Sequence, residues 1–345
     1  MVLHELNPLQ DPRWPEFLCR QAGASVFHTT EWLRALDRTY GYKPVVLTTS
    51  PPAGPLSNAV VFCEVHSWVT GGRLVSLPFS DHCEPLADSS EERESLLRAV
   101  VDRAASKNWK YVELRPVSAG VDRTGFESTD QYCLHRLELS GSCEEIFRRF
   151  HKDCVQRRIR HAERQPLTYE EGRSESLLRR FYELLLLTRR RHQLPPQPLA
   201  WFRHLGECLG DMLKIRTLSI DAKPIASIVT IRYKDCMTYK YGCSDPVFNN
   251  LGGTALLFWR AMQEATRDGL RVFDMGRSDL DNRSLITFKD RWGATRIPLT
   301  YHRYPRGRAR VGTSDWKTLV AKRLFRRLPD SLLVASGKLL YRHMG

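Results

Sequence analysis

Two stretches of this chain repeat one order of elements, and that repeat limits the possible folds more than any other feature. In the first, a hairpin ends in LPFSD (Leu77–Asp81), a helical stretch follows, and the strand NWKYVELRP (Asn108–Pro116) closes the set. In the second, a hairpin ends in YGCSD (Tyr241–Asp245), a helical stretch follows, and GLRVFDMGR (Gly269–Arg277) closes it. Each closing strand carries an acid and then an arginine, Glu113 with Arg115 and Asp274 with Arg277. Self-similarity at a long period points to a duplicated domain. Strands alternating with helices predict an α/β chain with mixed sheets flanked by helices. At about 150 residues per domain, 345 residues suit two. The expected division is 1–140, 141–312 and a basic helical tail over 313–345.

The two repeats differ where their helices begin. SSEERESLLRAVVDRAASKN (Ser89–Asn108) opens on a serine and an acidic first turn, which suit a helix N-terminus and its dipole. SDPVFNNLGGTALLFWRAM (Ser244–Met262) instead leads through Asn249, Asn250, Gly252 and Gly253 into a helix opening at Thr254. Unpaired N–H groups at such a start bind phosphate, and glycines let the phosphate come close. Asn250, Gly252, Gly253 and Thr254 are therefore candidate phosphate-binding residues. A plain helix-entry turn is the ordinary alternative.

Charge points the same way. The formal net charge is +14, and residues 303–345 hold 11 Lys and Arg against Asp315 and Asp330. A second basic run is FRRFHKDCVQRRIRHAER (Phe147–Arg164), expected as part of one long helix. An anionic partner is expected: nucleic acid, a membrane surface or a phosphate-rich cofactor. In the tail, Trp316, Leu319, Val320, Leu324 and Leu328 form an apolar stripe beside Lys317, Lys322, Arg323, Arg326 and Arg327. That pattern suits an interfacial helix or a helix packed on its own domain.

Nine cysteines without a CxxC pair argue for free thiols, and no ligand set marks a metal site. The start MVLHELNPLQDPRW lacks a basic segment before an apolar core, so no secretory signal is expected. Apolar runs fall short of the roughly 20 residues of a membrane span. The expected place is the cytoplasm, with contact at the inner membrane face.

The densest chemistry lies in FDMGRSDLDNRSLITFKDRWGA (Phe273–Ala294), read as a strand end and a charged loop before a turn at Trp292-Gly293. Asp274 alternates with Phe273 and Met275, and a carboxylate there can take a proton from an amine. Arg277 and Lys289 offer positive charge to an anionic oxygen. The ordinary readings are an Asp274–Arg277 ion pair and a solvated Lys289. Ser80, Asp81 and His82 are consecutive, so they cannot relay a proton as a triad. They remain candidates to line a pocket from the first domain. Tyr241, with Tyr239 in YKYG, suits strand packing or substrate contact.

LPFSDHCEPL, HKDCVQRRIRHAER, FYELLLLTRRRHQLPPQPLAWF, YKYGCSD and above all FDMGRSDLDNRSLITFKDRWGA resemble the Fem-related branch of the GNAT superfamily. Within that branch they are similar to acyltransferases of bacterial polysaccharide gene sets. The likeness runs from about Val26 to Tyr304. It implies two tandem GNAT-like domains and transfer of an acyl or aminoacyl group to an amine. Asn250-x-x-Gly253-x-Ala255 is a loose form of the pyrophosphate loop of acyl-CoA-dependent acetyltransferases, with Asn where Arg or Gln is usual. Phe288-Lys289 matches the Phe-Lys pair at the Fem active site, which implies that Lys289 stabilises charge near the reacting carbonyl. The implied donor is acyl-CoA, or aminoacyl-tRNA as in peptidoglycan-type enzymes. The implied acceptor is an amine, on a lipid-linked or sugar intermediate. The chain lacks the long Lys- and Glu-rich hairpin that some peptidoglycan enzymes carry, which favours acyl-CoA. A non-catalytic binding protein for RNA or anionic lipid is the reading from another class.

Overall fold

The computed structural model describes residues 2–67, 71–107, 109–305 and 329–343. It divides into two units: Met1–Tyr132 with Pro298–Thr313 and Leu339–Gly345, and Cys133–Ile297 with Ser314–Lys338.

The first unit contains β1 (His4–Leu6), α1 (Arg13–Arg20), α2 (Thr30–Tyr40), β2 (Lys43–Thr48), β3 (Asn58–Ser67), β4 (Gly71–Val75), β5 (Leu86–Ala87), α3 (Ser90–Ser106) and β6 (Val112–Leu114). The start and stop of α2 follow its sequence: the Thr29 hydroxyl accepts from the Trp32 amide, and Gly41 ends the helix at φ 72°. Strands β1 to β4 pair antiparallel in order, and β6 then joins β4 in parallel. The helix between those last two strands is α3. It lays Leu96, Leu97, Val100 and Ala104 on Phe62, Leu74 and Leu114.

The chain enters the second unit along β7 (Glu127–Glu138). There follow α4 (Cys143–Arg149), a π-helical turn (Lys152–Gln156), α5 (Arg157–Glu163), β8 (Thr168–Gly172), α6 (Glu175–Arg191), α7 (Leu199–Leu209), β9 (Leu213–Ile220), β10 (Lys223–Tyr233), β11 (Cys236–Ser244), α8 (Gly253–Arg267), β12 (Val272–Asp279) and α9 (Arg283–Asp290). Strands β8 to β11 pair antiparallel in order, and β12 joins β11 in parallel. The crossover helix is α8. The second sheet thus repeats the order of the first, as the duplicated sequence pattern predicts.

Helix α8 buries Leu257, Phe258, Ala261, Met262 and Ala265, spaced for one face of a helix. They pack with Leu218, Ile225, Ala226 and Ile228 of the sheet. Each large side chain so buried contributes about 1.5–3 kcal/mol. The C-terminal half of α8 is also pinned by charge. Arg216, fully buried on β9, donates to Glu264 at 2.7 Å, to Glu171 at 2.6 Å and to the Tyr169 hydroxyl at 2.9 Å. Lys214 adds a bond to Glu264 at 2.9 Å. Burial works against the Glu264 carboxylate, but the bond and charge of Arg216, with Lys214, outweigh it and bring the group down to about 2.

Three expectations change. The basic run does not form one helix. Phe150 is extended, and its carbonyl accepts from the Gln156 side chain at 2.8 Å, so α4 stops before the π-helical turn begins. The stretch read as a charged loop contains α9, capped by the Asn282 side chain accepting from the Leu285 amide at 3.2 Å. The last strand, β13 (Thr295–Tyr304), passes to the first unit from Pro298 onward, although it was expected in the second domain. There His302, Arg303 and Tyr304 pair with Leu114, Glu113 and Val112 of β6. The buried Glu113 carboxylate lies between Arg303 at 2.6 Å and Arg115 at 2.8 Å. Such a pairing joins residues nearly two hundred positions apart, which a boundary drawn along the chain cannot register. Of the expected tail, Asp330–Tyr341 forms α10, and the stripe from Trp316 to Leu328 lies outside the described residues. No helix among the described residues is long and apolar enough to cross a membrane.

Candidate active site

The parallel rungs between β11 and β12 stop early. Cys236, Met237 and Thr238 pair with Val272, Phe273 and Asp274, and there the ladder ends. Beyond it β11 stays registered with β10 as far as Ser244, across a bulge at Lys240. Backbone groups of the two strands beyond Thr238 are therefore left facing a break in the sheet.

From the open end of β11 the chain makes a 3₁₀ turn (Pro246–Leu251) and enters α8. The entry is built for close approach. Gly252 sits at φ 77°, and a Cβ there would lie 2.6 Å from the Arg158 carbonyl oxygen. A Cβ on Gly253 would lie 3.3 Å from the Ala226 Cβ. One glycine lets the entry approach α5, and the other lets α8 approach β10. No side chain caps α8, and its first turn holds no acidic residue. The first intrahelical bond runs from Leu256 N to Gly252 O, so the amides of Gly253, Thr254 and Ala255 are the open ones.

Those amides face a cavity of about 430 Å³. Asn250, Gly252, Gly253 and Thr254, the four residues expected to bind phosphate, all line it. So does Phe288, which was expected at the substrate. Its ring meets Trp292 at 6.2 Å, and Trp292, fully buried, stacks on Phe258 at 5.4 Å. Sequence reasoning missed Cys154 and Arg158 on the opposite wall. Arg158 is exposed and makes no ion pair among the described residues. The basic run marked this helix, but only its orientation shows which arginine faces the cavity.

The other predicted residues lie elsewhere. Lys289 is 2% exposed, and its ammonium donates to the carbonyls of Gly276 at 2.7 Å and Arg277 at 3.1 Å. It belongs to the last turn of α9, so it is a buried helical lysine and not a solvated loop lysine. Asp274 is equally buried. One of its oxygens accepts from the Gly276 amide at 2.7 Å, and the other from Arg136 at 3.3 Å. The ion pair foreseen with Arg277 is made with Arg136. Arg277 itself is half-buried, with its carbonyl taken by Lys289. Beside Lys289 lies His135, which no motif marks. It is fully buried, with its ring 3.3 Å from Asp290. Burial and then the charge of Lys289 lower its pKa, against the pull of Asp290.

Tyr241 does not line the cavity. Its hydroxyl accepts from Trp201 at 2.8 Å and Gln197 at 3.3 Å, and its ring meets Phe202 edge-on at 5.0 Å. The packing reading describes it. Ser80, Asp81 and His82 sit in the first unit. The Ser80 hydroxyl donates to the Leu77 carbonyl at 2.8 Å, and the Asp81 carbonyl accepts from Tyr301 at 2.7 Å. His82 packs edge-on against Phe27 at 5.4 Å. The three close a turn, and their side chains point to no shared proton path.

A parallel strand pair that opens, followed by an uncapped, glycine-opened helix with a basic wall, is a phosphate-binding arrangement. Residues 148–289 match the acetyltransferase (GNAT) domain family, and this span contains the whole cavity wall except Trp292. The second unit carries a GNAT domain. Solved structures extend the likeness to the rest of the chain. FemX superposes with a TM-score of 0.70 at 12% identity, over 88% of this chain and 97% of that one. A tandem GNAT protein from the clavulanic acid biosynthesis pathway gives 0.55 at 10%, over 88% and 98%. The C-terminal domain of a putative lysylphosphatidylglycerol synthetase from Agrobacterium fabrum gives 0.55 at 13%, over 86% and 90%. No curated protein matches in sequence. The chain therefore has the tandem GNAT fold of the Fem-related branch, a transferase fold.

Proposed function

We propose that the protein is an N-acyltransferase that holds an acyl-CoA in the second unit and passes the acyl group to an amine. The observation that carries this reading is the open N-terminus of α8, walled by the unpaired Arg158 and adjoining the break between β11 and β12. The three open amides and the guanidinium suit a diphosphate, and the break offers backbone groups to the arm that carries the acyl carbon. The amine then attacks the thioester carbonyl, a C–N bond replaces the C–S bond, and the thiol leaves with the proton. The acceptor is an amine on a lipid-linked or sugar intermediate of the cell envelope.

The contacts of Lys289 and Asp274 favour positioning roles. They tie the end of β12 to α9 and to Arg136, and so fix the backbone beside the break. The direct roles, Lys289 on the oxyanion and Asp274 as proton acceptor, are the alternative. Lys289→Met separates them. A direct role lowers kcat by roughly 10²–10³ at unchanged Tm, whereas a positioning role lowers Tm and kcat together.

Calorimetric titration with coenzyme A at physiological salt tests the donor. Saturable binding, weakened about tenfold or more in Arg158→Glu, is the expected result. Absence of heat in the wild-type protein would overturn the acyl-CoA reading. Charged tRNA is the next ligand in that event, because the fold shared with a lysylphosphatidylglycerol synthetase domain favours an aminoacyl donor as the second reading.

A further inference from the structure

We propose that the outer face of the segment from Lys152 to Arg164, with the apolar groove next to it, seats an anionic phospholipid, so that the second unit works against an anionic membrane surface. The sequence of this segment separates two faces. Val155, Ile159 and Ala162 turn into the core at helical spacing. Lys152, Arg157, Arg160 and Arg164 are left exposed around a depression of about 560 Å³, with His161 and one carboxylate, Asp153.

What separates these cations from the others of the second unit is that they lack acidic partners. Arg136, Arg173, Arg180, Arg203, Arg232 and Arg296 each contact a carboxylate. Lys152, Arg157, Arg160 and Arg164 form no ion pair among the described residues. Like charges kept this close repel one another, and an anion from outside relieves that repulsion.

The neighbouring surface decides which anion. Arg160 borders the basic depression and also a groove of about 360 Å³, where Cys143, Phe147 and Trp259 lie among Glu144, Arg148 and Glu163. A partner that fills both has a phosphate at one end and hydrocarbon at the other. Nucleic acid suits the groove poorly. Single strands bind through open aromatic faces on which bases stack. Here Trp259 is 6% exposed, held between Phe147 and Phe150, and the face of Phe147 is covered by the Arg160 guanidinium at 5.3 Å. A lipid needs no such face, only apolar wall beside a basic rim.

The test is co-sedimentation of the full chain with vesicles at physiological salt. Vesicles of phosphatidylcholine with phosphatidylglycerol should carry the protein down, and pure phosphatidylcholine should not. Arg157→Glu/Arg160→Glu/Arg164→Glu should lower partitioning on the order of tenfold or more, since each basic residue near an anionic surface adds attraction. The triple variant should keep the wild-type Tm, because these side chains hold no ion pair. Equal sedimentation of variant and wild type would overturn the proposal and place any anchor elsewhere. Release by soluble glycerophosphoglycerol at matched concentration would show a bare phosphate site and overturn the role of the groove. A short RNA that displaces the vesicles through the same three arginines would overturn the lipid assignment. The arms read vesicle binding alone, so failure of coenzyme A to bind does not bear on them.

Discussion

Helices α3 and α8 hold the same place in their units, each crossing from the fourth antiparallel strand to the parallel one, yet their N-termini are finished in opposite ways. At α3 the Ser89 hydroxyl accepts from the Glu92 amide at 3.1 Å, and Glu91 and Glu92 stand in the first turn. The side chains of the protein already answer the positive end of that helix. At α8 the cap is a glycine, no acid stands in the first turn, and a cavity with an arginine on its wall lies in front. The strand ends differ as well. In the first unit Glu113 and Arg115, on and just after β6, are engaged with each other, Arg303 and the carbonyls of Leu77 and Ser80. Duplication supplied two potential anion sites. In one, the chain's own groups take the ligand's place, and in the other the place is left open. Both the capacity to bind a donor and its confinement to the second unit follow from side chains laid on a common backbone plan.

The comparison breaks most completely at Gly252. Gly252→Val puts a branched side chain at φ 77°, costing about 1–2 kcal/mol in backbone strain, and drives it into the Arg158 carbonyl, costing about 1–3 kcal/mol more. Thermal unfolding should show Tm lower by roughly 10 °C, with coenzyme A binding lost. Next in size is the charge that seats α8. Glu264 is held ionised in the fold down to about 2, against an ordinary carboxylate value near 4.5. Its stabilisation is therefore complete above about pH 4.5 and is lost as pH falls through about 2. Denaturant titrations should show this term, on the order of 2–3 kcal/mol, shrinking over that window in the wild type and missing at all pH values in Glu264→Gln. Smaller again is Thr254→Glu, which gives α8 the acidic first turn of α3. The free protein should gain about 0.3–1 kcal/mol from the helix dipole, while coenzyme A binding falls about tenfold or more. Stability and affinity moving in opposite directions would show that the open end is kept for a ligand. Affinity unchanged would show that the phosphates do not sit there.

How much of this was legible depends on the range of the contacts. The repeat, the capped start of α3 and the glycine entry of α8 are local, and the residues that make them stand within a few positions of one another. Asn250, Gly252, Gly253 and Thr254 could be read together for that reason. Arg158 reaches the same cavity from nearly a hundred residues earlier, and a run of arginines does not say which one turns inward until Val155, Ile159 and Ala162 are seen in the core. Lys289 was visible as a charge but not as a buried one, since its partners are carbonyls of another element and a carbonyl leaves no mark in sequence. Asp274 and Arg277 are near neighbours in the chain, but the side chain that reaches Asp274 is Arg136, from β7. Tyr241 failed as a substrate contact for a similar reason: Trp201 and Gln197, which take its hydroxyl, lie on and beside α7.

The smallest expected effect sharpens the comparison from the other side. Ser89→Ala removes the cap of α3 and leaves the Glu92 amide to water, since Ser89 is exposed. Loss of such a cap costs about 0.5–2 kcal/mol, so Tm should fall by a few degrees. Coenzyme A affinity in the second unit should not change. Uncapping alone should not create a second site, because Glu91 and Glu92 still stand in the first turn of α3 and repel phosphate. Ser89→Ala with Glu91→Gln and Glu92→Gln takes away that remaining obstacle at the helix end. If titration of the triple variant still gives a stoichiometry of one, the end of α3 is not sufficient to bind the donor, and the charges around Glu113 and Arg115 matter as well. A stoichiometry of two would mean that capping alone had kept the first unit from binding the donor.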